Sequence, residues 1–443
     1  MSLSNSFRLF IKEHSDITQK KILIAVSGGI DSVVLAHLCY QENIDFGIAH
    51  CNFQLREQAS EEDEAFVIGL AKTYNVPIFT KKFDVKAYVE QNKVSTQIAA
   101  RVLRYEWFNT LLKQHQFDFI ATAHHANDQL ETILFNLTKG TGIKGIRGIL
   151  PLANKVVRPL LHAPKGTIQA YAKENELAWR EDSSNSSTKY QRNLIRHKVV
   201  PVLKSINPSL TANLHFTTER LRMVEQMLNA QLADFESKGV AEKSGVTSIF
   251  KISLKKQQAP LLILSEFLQV YGFNFKQAKQ LFAEMDRQPG KIFKSHTHEL
   301  LVDREALLIR PLMEQNLTES VKILAETKEI KVSHLTLKCN FEQLYSKEQL
   351  KRKNNILTVD ASLISFPLTV RNWQEGDFFR PFGMKGKKKL SDFLTDQKLN
   401  LFEKQKVKVL CTKDDIVWVI GMRPDDRFKV SDNTRKIYTV EVI

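Results

Sequence analysis

The feature that most constrains this chain is the turn Ser27-Gly28-Gly29-Ile30-Asp31-Ser32, set between an apolar run and an apolar-periodic stretch. Ile22-Leu23-Ile24-Ala25-Val26 reads as a buried strand, and Val33, Val34, Leu35 and Leu38 read as the inner face of a helix. A strand that passes into a helix through two glycines gathers backbone N–H groups at the helix N-terminus, which is an anion site. The glycines let a phosphate approach the backbone, and Ser27 and Ser32 add hydroxyl donors. Asp31 cannot bind phosphate favourably, so its natural partner is a Mg²⁺ ion bridging the phosphates; a plain helix-capping turn is the alternative. The loop carries no Lys-Ser or Lys-Thr after its last glycine and is therefore not a Walker A loop.

Strand and helix patterns go on alternating. Short strands are expected at 46–50, 76–80 and 117–123, with helices at 61–74 and 96–114, which implies a parallel sheet covered on both faces. The pattern weakens after Leu161, and a polar loop from 181 to 188 closes the first region, followed by the segment 192–203. Leu214, Leu221, Val224, Met227 and Leu228 mark a long helix over 210–235, followed by short helical and strand-like pieces to 310. From Val321 onward the β-prone runs are 330–332, 356–359, 368–370 and 416–420. The expected class is α/β: a Rossmann-like parallel-sheet domain over 1–205, a mainly helical domain over 206–315 and a small α/β or β-rich domain over 316–443.

Hydrophobic residues at 43% and charged residues at 26% exclude a disordered or membrane-embedded chain. Lysine and arginine number 64 against 49 acids, a net charge of +15 that makes nucleic acid the first partner to consider; a merely soluble basic surface is the alternative. Cys39, Cys51, Cys339 and Cys411 form no C-x-x-C pair, so neither a disulfide framework nor a zinc or iron–sulfur site is signalled. No apolar run suits a signal peptide or a membrane span, and a cytoplasmic protein with no membrane partner is expected.

His124-His125-Ala126-Asn127-Asp128-Gln129-Leu130-Glu131-Thr132 begins where the strand at 117–123 ends, the edge at which open α/β sheets bind ligands. Asn127 is placed to cap the following helix, Asp128 and Glu131 share one face, and Leu130, Leu134 and Leu137 would bury against the sheet. Alternatively, these acids and histidines simply solvate a helix start. Gly140-Thr141-Gly142-Ile143-Lys144-Gly145 satisfies the dinucleotide fingerprint but follows a helical pattern, so a helix-terminating turn or a flexible loop suits it better. Arg101 and Arg104 lie one turn apart on a helix, and Lys385, Lys387, Lys388 and Lys389 form a basic cluster beside Trp373, Phe378, Phe379 and Arg380. Such clusters are usually solvated faces, but aromatic neighbours also suit phosphate contacts and base stacking.

Ser27 to Ser32 resembles the pyrophosphate loop (PP-loop) of the N-type ATP pyrophosphatases, which adenylate a carbonyl oxygen. Together with His124 to Thr132 it is similar to the signature of the tRNA(Ile)-lysidine synthetase family, departing at Asn127, where that family commonly has aspartate. In family order follow His50-Cys51-Asn52-Phe53-Gln54-Leu55-Arg56, Ala99 to Tyr105, Arg158-Pro159-Leu160-Leu161, Glu181 to Asn185 and Arg192 to Arg196, and residues 371–393 resemble the family's C-terminal domain. The resemblance implies ATP-dependent ligation of free L-lysine to C2 of the wobble cytidine of the CAU-anticodon isoleucine tRNA. The route is an adenylated cytidine; AMP and pyrophosphate leave, and decoding changes from AUG to AUA. It implies ATP and Mg²⁺ as cofactors, with Ser27, Gly28, Gly29, Ile30, Asp31 and Ser32 binding ATP and Asp31 holding the metal. It makes Asp31, Arg104, His124 and Glu131 catalytic, and assigns substrate binding to Asp128, Arg101, Arg192, Arg196, Arg380, Lys387 and Lys388. The second and third domains are then tRNA-binding, and a homodimer is compatible with the family. The rival readings are an ATP-dependent tRNA thiolase, which needs a reactive cysteine or a cluster, and a tRNA-binding protein without catalysis.

Overall fold

Strand parity builds the first layers. Ile22 and Ile24 are buried on one face of their strand, in a cluster with Phe7, Val34, Leu38, Val67 and Ile168. Leu23 points the other way, into a cluster with Trp107, Phe108, Leu111 and Phe117. Each fully buried side chain of this size is worth about 1.5–3 kcal/mol, so a strand apolar on both sides is stable only between two layers of helices.

The computed structural model describes residues 2–14, 20–55, 58–181, 191–312, 320–333, 335–343 and 353–443. Arg56 and most of the polar loop expected at 181–188, from Asp182 onward, lie outside the described residues. The chain divides into two compact units, Met1–Leu228 and Asn229–Ile443.

The first unit runs α1 (Leu3–Glu13), β1 (Ile22–Ala25), α2 (Ile30–Gln41), β2 (Phe46–Asn52), α3 (Gln58–Tyr74), β3 (Ile78–Lys82), α4 (Val85–Asn92), α5 (Thr96–Gln114) and β4 (Phe119–Ala121). It continues with α6 (Ala126–Lys139), α7 (Ile143–Ile146), β5 (Leu152–Ala153), β6 (Val156–Val157), α8 (Lys165–Glu174), α9 (Gln191–Leu194), a π-helical turn at Ile195–Val199, α10 (Val200–Ile206) and α11 (Leu210–Gly239), which extends past residue 228. The sheet order is β3-β2-β1-β4-β6-β5, parallel except for the β5–β6 hairpin. The chain reverses direction between β1's two neighbours, and the first βα turn therefore opens at a ligand-binding edge. The helices and strands expected from sequence are present here, α5 with the expected bounds.

Helix α6 departs from expectation. His125 caps it: its ring nitrogen accepts from the Asn127 amide at 3.2 Å, while the Asp128 carboxylate accepts from the His125 amide at 3.0 Å. Asn127 instead accepts from Lys204 at 3.4 Å. Leu130 and Leu134 pack with Ile195, Val200, Leu210 and Leu214 and not on the sheet, and Leu137 is exposed. The reason is that the 191–214 helices cover this face of α6, a cover that local periodicity cannot reveal.

The second unit contains β7 (Val240–Lys243), β8 (Val246–Phe250), α12 (Lys251–Lys255), α13 (Pro260–Leu268), α14 (Phe275–Glu284), β9 (Ile292–Lys294), β10 (His298–Val302) and β11 (Ala306–Pro311). The strand-like pieces before residue 310 form an antiparallel sheet ordered β7-β8-β11-β10-β9. The last part is β-rich, as expected: β12 (Val321–Ile323), β13 (Glu329–Val332), β14 (Leu335–Gln343), β15 (Ile356–Asp360), β16 (Leu368–Asn372), β17 (Phe378–Phe379), β18 (Lys388–Lys389), α15 (Leu390–Asp396), α16 (Leu401–Lys406), β19 (Lys408–Thr412), β20 (Asp415–Val419), β21 (Arg423–Pro424) and β22 (Lys436–Val442). Sheets β12-β16-β19-β20-β21 and β13-β14-β22-β15 share one core around Trp418 and Tyr438.

Candidate active site

The β1–α2 turn forms the nest its residues predict. Gly28 has φ +91°, a conformation that L side chains rarely adopt, and a Cβ there would meet Phe66 at 3.5 Å. Gly29 is the N-cap of α2 and has no side chain of its own to fill the space above the helix. Ser32 Oγ donates to the Gly29 carbonyl at 2.8 Å and accepts from the Ser27 amide at 3.2 Å, and Ser27 Oγ lies 3.3 Å from Ser32 Oγ. The two serines thus hold the loop's curvature as well as lining it. Outside the loop, the Arg180 amide donates to the Gly28 carbonyl at 3.0 Å, and the Arg180 side chain is tied to Glu62 and Asp63 of α3 at 2.7 and 2.6 Å.

Asp31, in the first turn of α2, faces two cations or potential cations. Lys165 Nζ donates to both of its carboxylate oxygens, at 2.6 and 2.7 Å, and His125 Nε2 lies 3.7 Å away. The same His125 Nε2 is 3.5 Å from Asp128. Because His125 Nδ1 accepts from a backbone amide, the N–H on Nε2 is the one that faces the two carboxylates. Burial pushes the Asp128 carboxyl up, but His125, His124 and the His125 amide outweigh it and hold it below the usual carboxylate range.

Glu131, one turn further along α6, is only 1% exposed and is held by two arginines. Arg196 Nε and Nη2 donate to its two oxygens at 2.6 and 3.1 Å, and Arg192 Nε donates at 3.2 Å. Arg196 also reaches Asp128 at 3.3 Å. Five of the expected site residues, Asp31, Asp128, Glu131, Arg192 and Arg196, are therefore joined through His125 and shared ion pairs. His124 belongs to the same neighbourhood: its Nδ1 pairs with Thr122 Oγ1 at 2.9 Å, and Asp128, Arg158, Arg192 and Arg101 all act on its charge.

Arg101 stacks over Tyr105 at 5.0 Å, and Arg104 lies over Phe53 at 5.2 Å beside Cys51 at the end of β2. Arg380, Lys387 and Lys388 lie in the second unit. Arg380 is exposed, Lys387 sits over the exposed Phe378 ring at 4.5 Å, and Lys388 is engaged in an ion pair with Asp396. Two of the aromatic neighbours are committed elsewhere: Phe379 is fully buried against Phe393, and the Trp373 indole N–H donates to the Lys404 carbonyl at 2.7 Å. Stacking on Phe379 is therefore ruled out by packing that the local sequence does not show. Gly140 ends α6 and Gly142 begins α7, the helix-terminating turn that was one of the two readings expected.

Sequence reasoning missed Lys165, Arg180, and the central place of His125. The buried Asn52 amide, in the motif at the end of β2, reaches Glu61 at 3.1 Å and Glu64 at 2.8 Å. Lys165 follows an unremarkable Ala-Pro and carries no local signal at all.

Burial pushes the His124 pKa down to about 4; the charge of Asp128 opposes this, while Arg158, Arg192 and Arg101 reinforce it. His124 is therefore neutral at pH 7 and acts as a hydrogen-bonding group without charge. Its folded pKa lies below the unfolded value, so its contribution to stability is complete above about pH 6.5 and is lost as pH falls toward 4. In a His124-resolved NMR titration, the ring midpoint is expected near pH 4; a midpoint near 6.5 would contradict this placement.

Three domain families match parts of the chain. The PP-loop domain family matches residues 3–203, the TilS substrate binding domain family matches 242–312, and the TilS substrate C-terminal domain family matches 368–441. A tRNA(Ile)-lysidine synthase of Parabacteroides distasonis is 36% identical over 99% of this chain and 99% of its own. Proteins of the same name from Bacteroides thetaiotaomicron and Porphyromonas gingivalis are 33% and 34% identical, covering 98% of this chain and 98% and 96% of their own.

Proposed function

The chain belongs to the tRNA(Ile)-lysidine synthase family, and from that premise we propose how its residues carry out ATP-dependent lysidine formation on tRNA. The supporting observation is the bridge at His125, which lies 3.7 Å from Asp31 of the phosphate loop and 3.5 Å from Asp128 of α6. It joins the nucleotide end of the site to the acid and arginine cluster.

ATP enters with its phosphates over Ser27, Gly28, Gly29, Ile30 and Ser32, where amides and hydroxyls replace water. Magnesium needs only one or two carboxylates when phosphates complete its shell, and Asp31 with Asp128 across His125 fits that donor set. When bound, Mg²⁺ neutralises charge on the phosphates. The wobble cytosine O2 attacks the α-phosphorus; an O–P bond forms, the α–β bridging bond breaks, and its electron pair leaves on pyrophosphate. The ε-amine of lysine then attacks C2, and AMP departs.

Arg104 and neutral His124 stabilise the adenylation step from the sheet edge. Asp128 draws in the substrate's ammonium, Glu131 anchors Arg192 and Arg196, and these arginines, whose side chains are 43% and 34% exposed, present their open edges to the substrate's carboxylate. Arg101 with Arg380, Lys387 and Lys388 contact tRNA phosphates. The working division is residues 1–205 for catalysis, with 206–315 and 316–443 for tRNA. Site of action is the cytoplasm.

A thiolase reading is disfavoured by the cysteines. Cys39, Cys339 and Cys411 are buried, and burial pushes the Cys51 thiol up to about 12 despite the opposing Arg104 and Lys81, so it is a poor nucleophile at neutral pH. A non-catalytic tRNA binder does not account for the phosphate nest or for Asp31 held within reach of His125 beside it.

The test is transfer of labelled lysine to an unmodified CAU-anticodon isoleucine tRNA with ATP and Mg²⁺. Label should enter the tRNA with release of one AMP and one pyrophosphate per lysine, and nucleoside mass analysis should show a lysine-sized increment. Sulfur-for-oxygen exchange, or no transfer at all, would overturn the proposal.

A further inference from the structure

The phosphate loop holds no lysine between residues 27 and 32, yet a lysine is delivered to it from 134 residues away. Lys165 Nζ sits on both oxygens of Asp31 at 2.6 and 2.7 Å, inside the same turn that gathers the phosphate-binding amides. Resting on the adenylation reading above, we propose that Lys165 is the phosphate-binding cation of this site. It is parked on Asp31 before ATP arrives and moves to the β- and γ-phosphates once ATP is bound.

Three observations carry this. Lys165 is the first residue of α8, and no acid lies in that helix's first turn. A cation there opposes the helix dipole, so its position is not explained by helix stability. Second, both partners of the pair are 28% exposed. At such exposure an ion pair adds at most about 1 kcal/mol to stability, too little to explain why a cation is kept at a helix N-terminus. Third, the start of α8 is fastened to the catalytic edge: the Ala126 amide at the start of α6 donates to the Ala163 carbonyl at 3.0 Å. The N-termini of α2, α6 and α8 thus converge, and Lys165 is the cation aimed at the loop from outside it.

The charge logic is simple. Without nucleotide, Asp31 and Lys165 neutralise each other. ATP brings several negative charges next to Asp31, which no longer tolerates the site without a positive counterpart. Once Asp31 turns to the metal, the Lys165 ammonium is released to the departing pyrophosphate, where it stabilises the electron pair left on the bridging oxygen. It gives up no proton in this step. A lysine on a flexible stem suits such a transfer between partners.

Metal-free binding of pyrophosphate and of AMP, measured by calorimetry in EDTA on the full chain, separates this role from a structural one. Lys165→Met should weaken pyrophosphate binding about tenfold and leave AMP binding unchanged within about twofold. Lys165→Arg should recover most of that loss. Asp31→Asn should tighten metal-free pyrophosphate binding about fivefold, because it removes a like charge and frees the lysine. Melting curves run alongside show that each variant is folded. Equal pyrophosphate affinity in wild type and Lys165→Met, or weaker binding by Asp31→Asn, overturns the assignment and leaves the adenylation reading standing. Failure of the wild type to bind pyrophosphate without metal or ATP with Mg²⁺ overturns both.

Discussion

Asp31→Ala is expected to lower tRNA-dependent pyrophosphate release by about 10³-fold while leaving the protein folded. The carboxylate touches both ends of the chemistry: Lys165 grips its two oxygens, and His125 links it to Asp128. Its loss removes the metal's anchor on the loop and releases Lys165 into the phosphate site prematurely. Losing one preorganised electrostatic group in a shielded site commonly costs about 10²–10³ in rate, and here two groups are disturbed together. Stability should change by no more than about 1 kcal/mol, because the ion pair it leaves is partly solvated. Single-turnover pyrophosphate release with tRNA present, compared with the melting curve of the same preparation, measures both quantities. A rate reduction under tenfold would remove Asp31 from the catalytic centre.

The second large effect is expected at Glu131, and it falls on stability as well as activity. Glu131 is 1% exposed and holds Arg192 and Arg196 by three charge-assisted hydrogen bonds. Removing one partner of a fully buried pair costs about 3–5 kcal/mol. The arginines are 43% and 34% exposed, so they can turn to water, which reduces the cost of Glu131→Ala to about 2 kcal/mol. Glu131→Gln keeps the shape and one acceptor oxygen and should lose roughly half as much. Lysine transfer is expected to fall about 100-fold in kcat/KM for both variants, since the guanidinium edges that meet the substrate lose their common anchor. Urea unfolding and lysine titration of the transfer rate read the two effects. An alanine variant with unchanged unfolding midpoint and unchanged lysine dependence would show that Glu131 does neither task.

The sheet's first four strands and helices α2, α3, α5, α6 and α11 were legible, whereas α1, α4, α8 and the β5–β6 hairpin were not. Buried strands of four or five apolar residues and helices with a repeat of three to four are local patterns, and β1, α2 and α5 each carry them without interference from Gly or Pro. The loop was legible for a related reason: two adjacent glycines between such elements permit the Gly28 conformation that the turn requires. Where the prediction went astray, the deciding partner was distant in sequence. Leu134 packs on Ile195 and Val200, and Phe379 is buried against Phe393. Each of these contacts is chosen by which surfaces meet, which no window of neighbouring residues encodes.

From sequence alone came the α/β class, the phosphate nest, the likeness to a tRNA-modifying family and the names of the acids and arginines that lie at the sheet's edge. These follow from short-range rules of backbone conformation and side-chain period, written into adjacent residues. Tertiary structure alone decided that His125 stands between Asp31 and Asp128, that Glu131 is held by Arg192 and Arg196, and that Lys165 supplies the loop with its missing cation. Electrostatic pairing acts over a few ångströms of space whatever the separation along the chain, and only the folded sheet brings α2, α6 and α8 to within that distance.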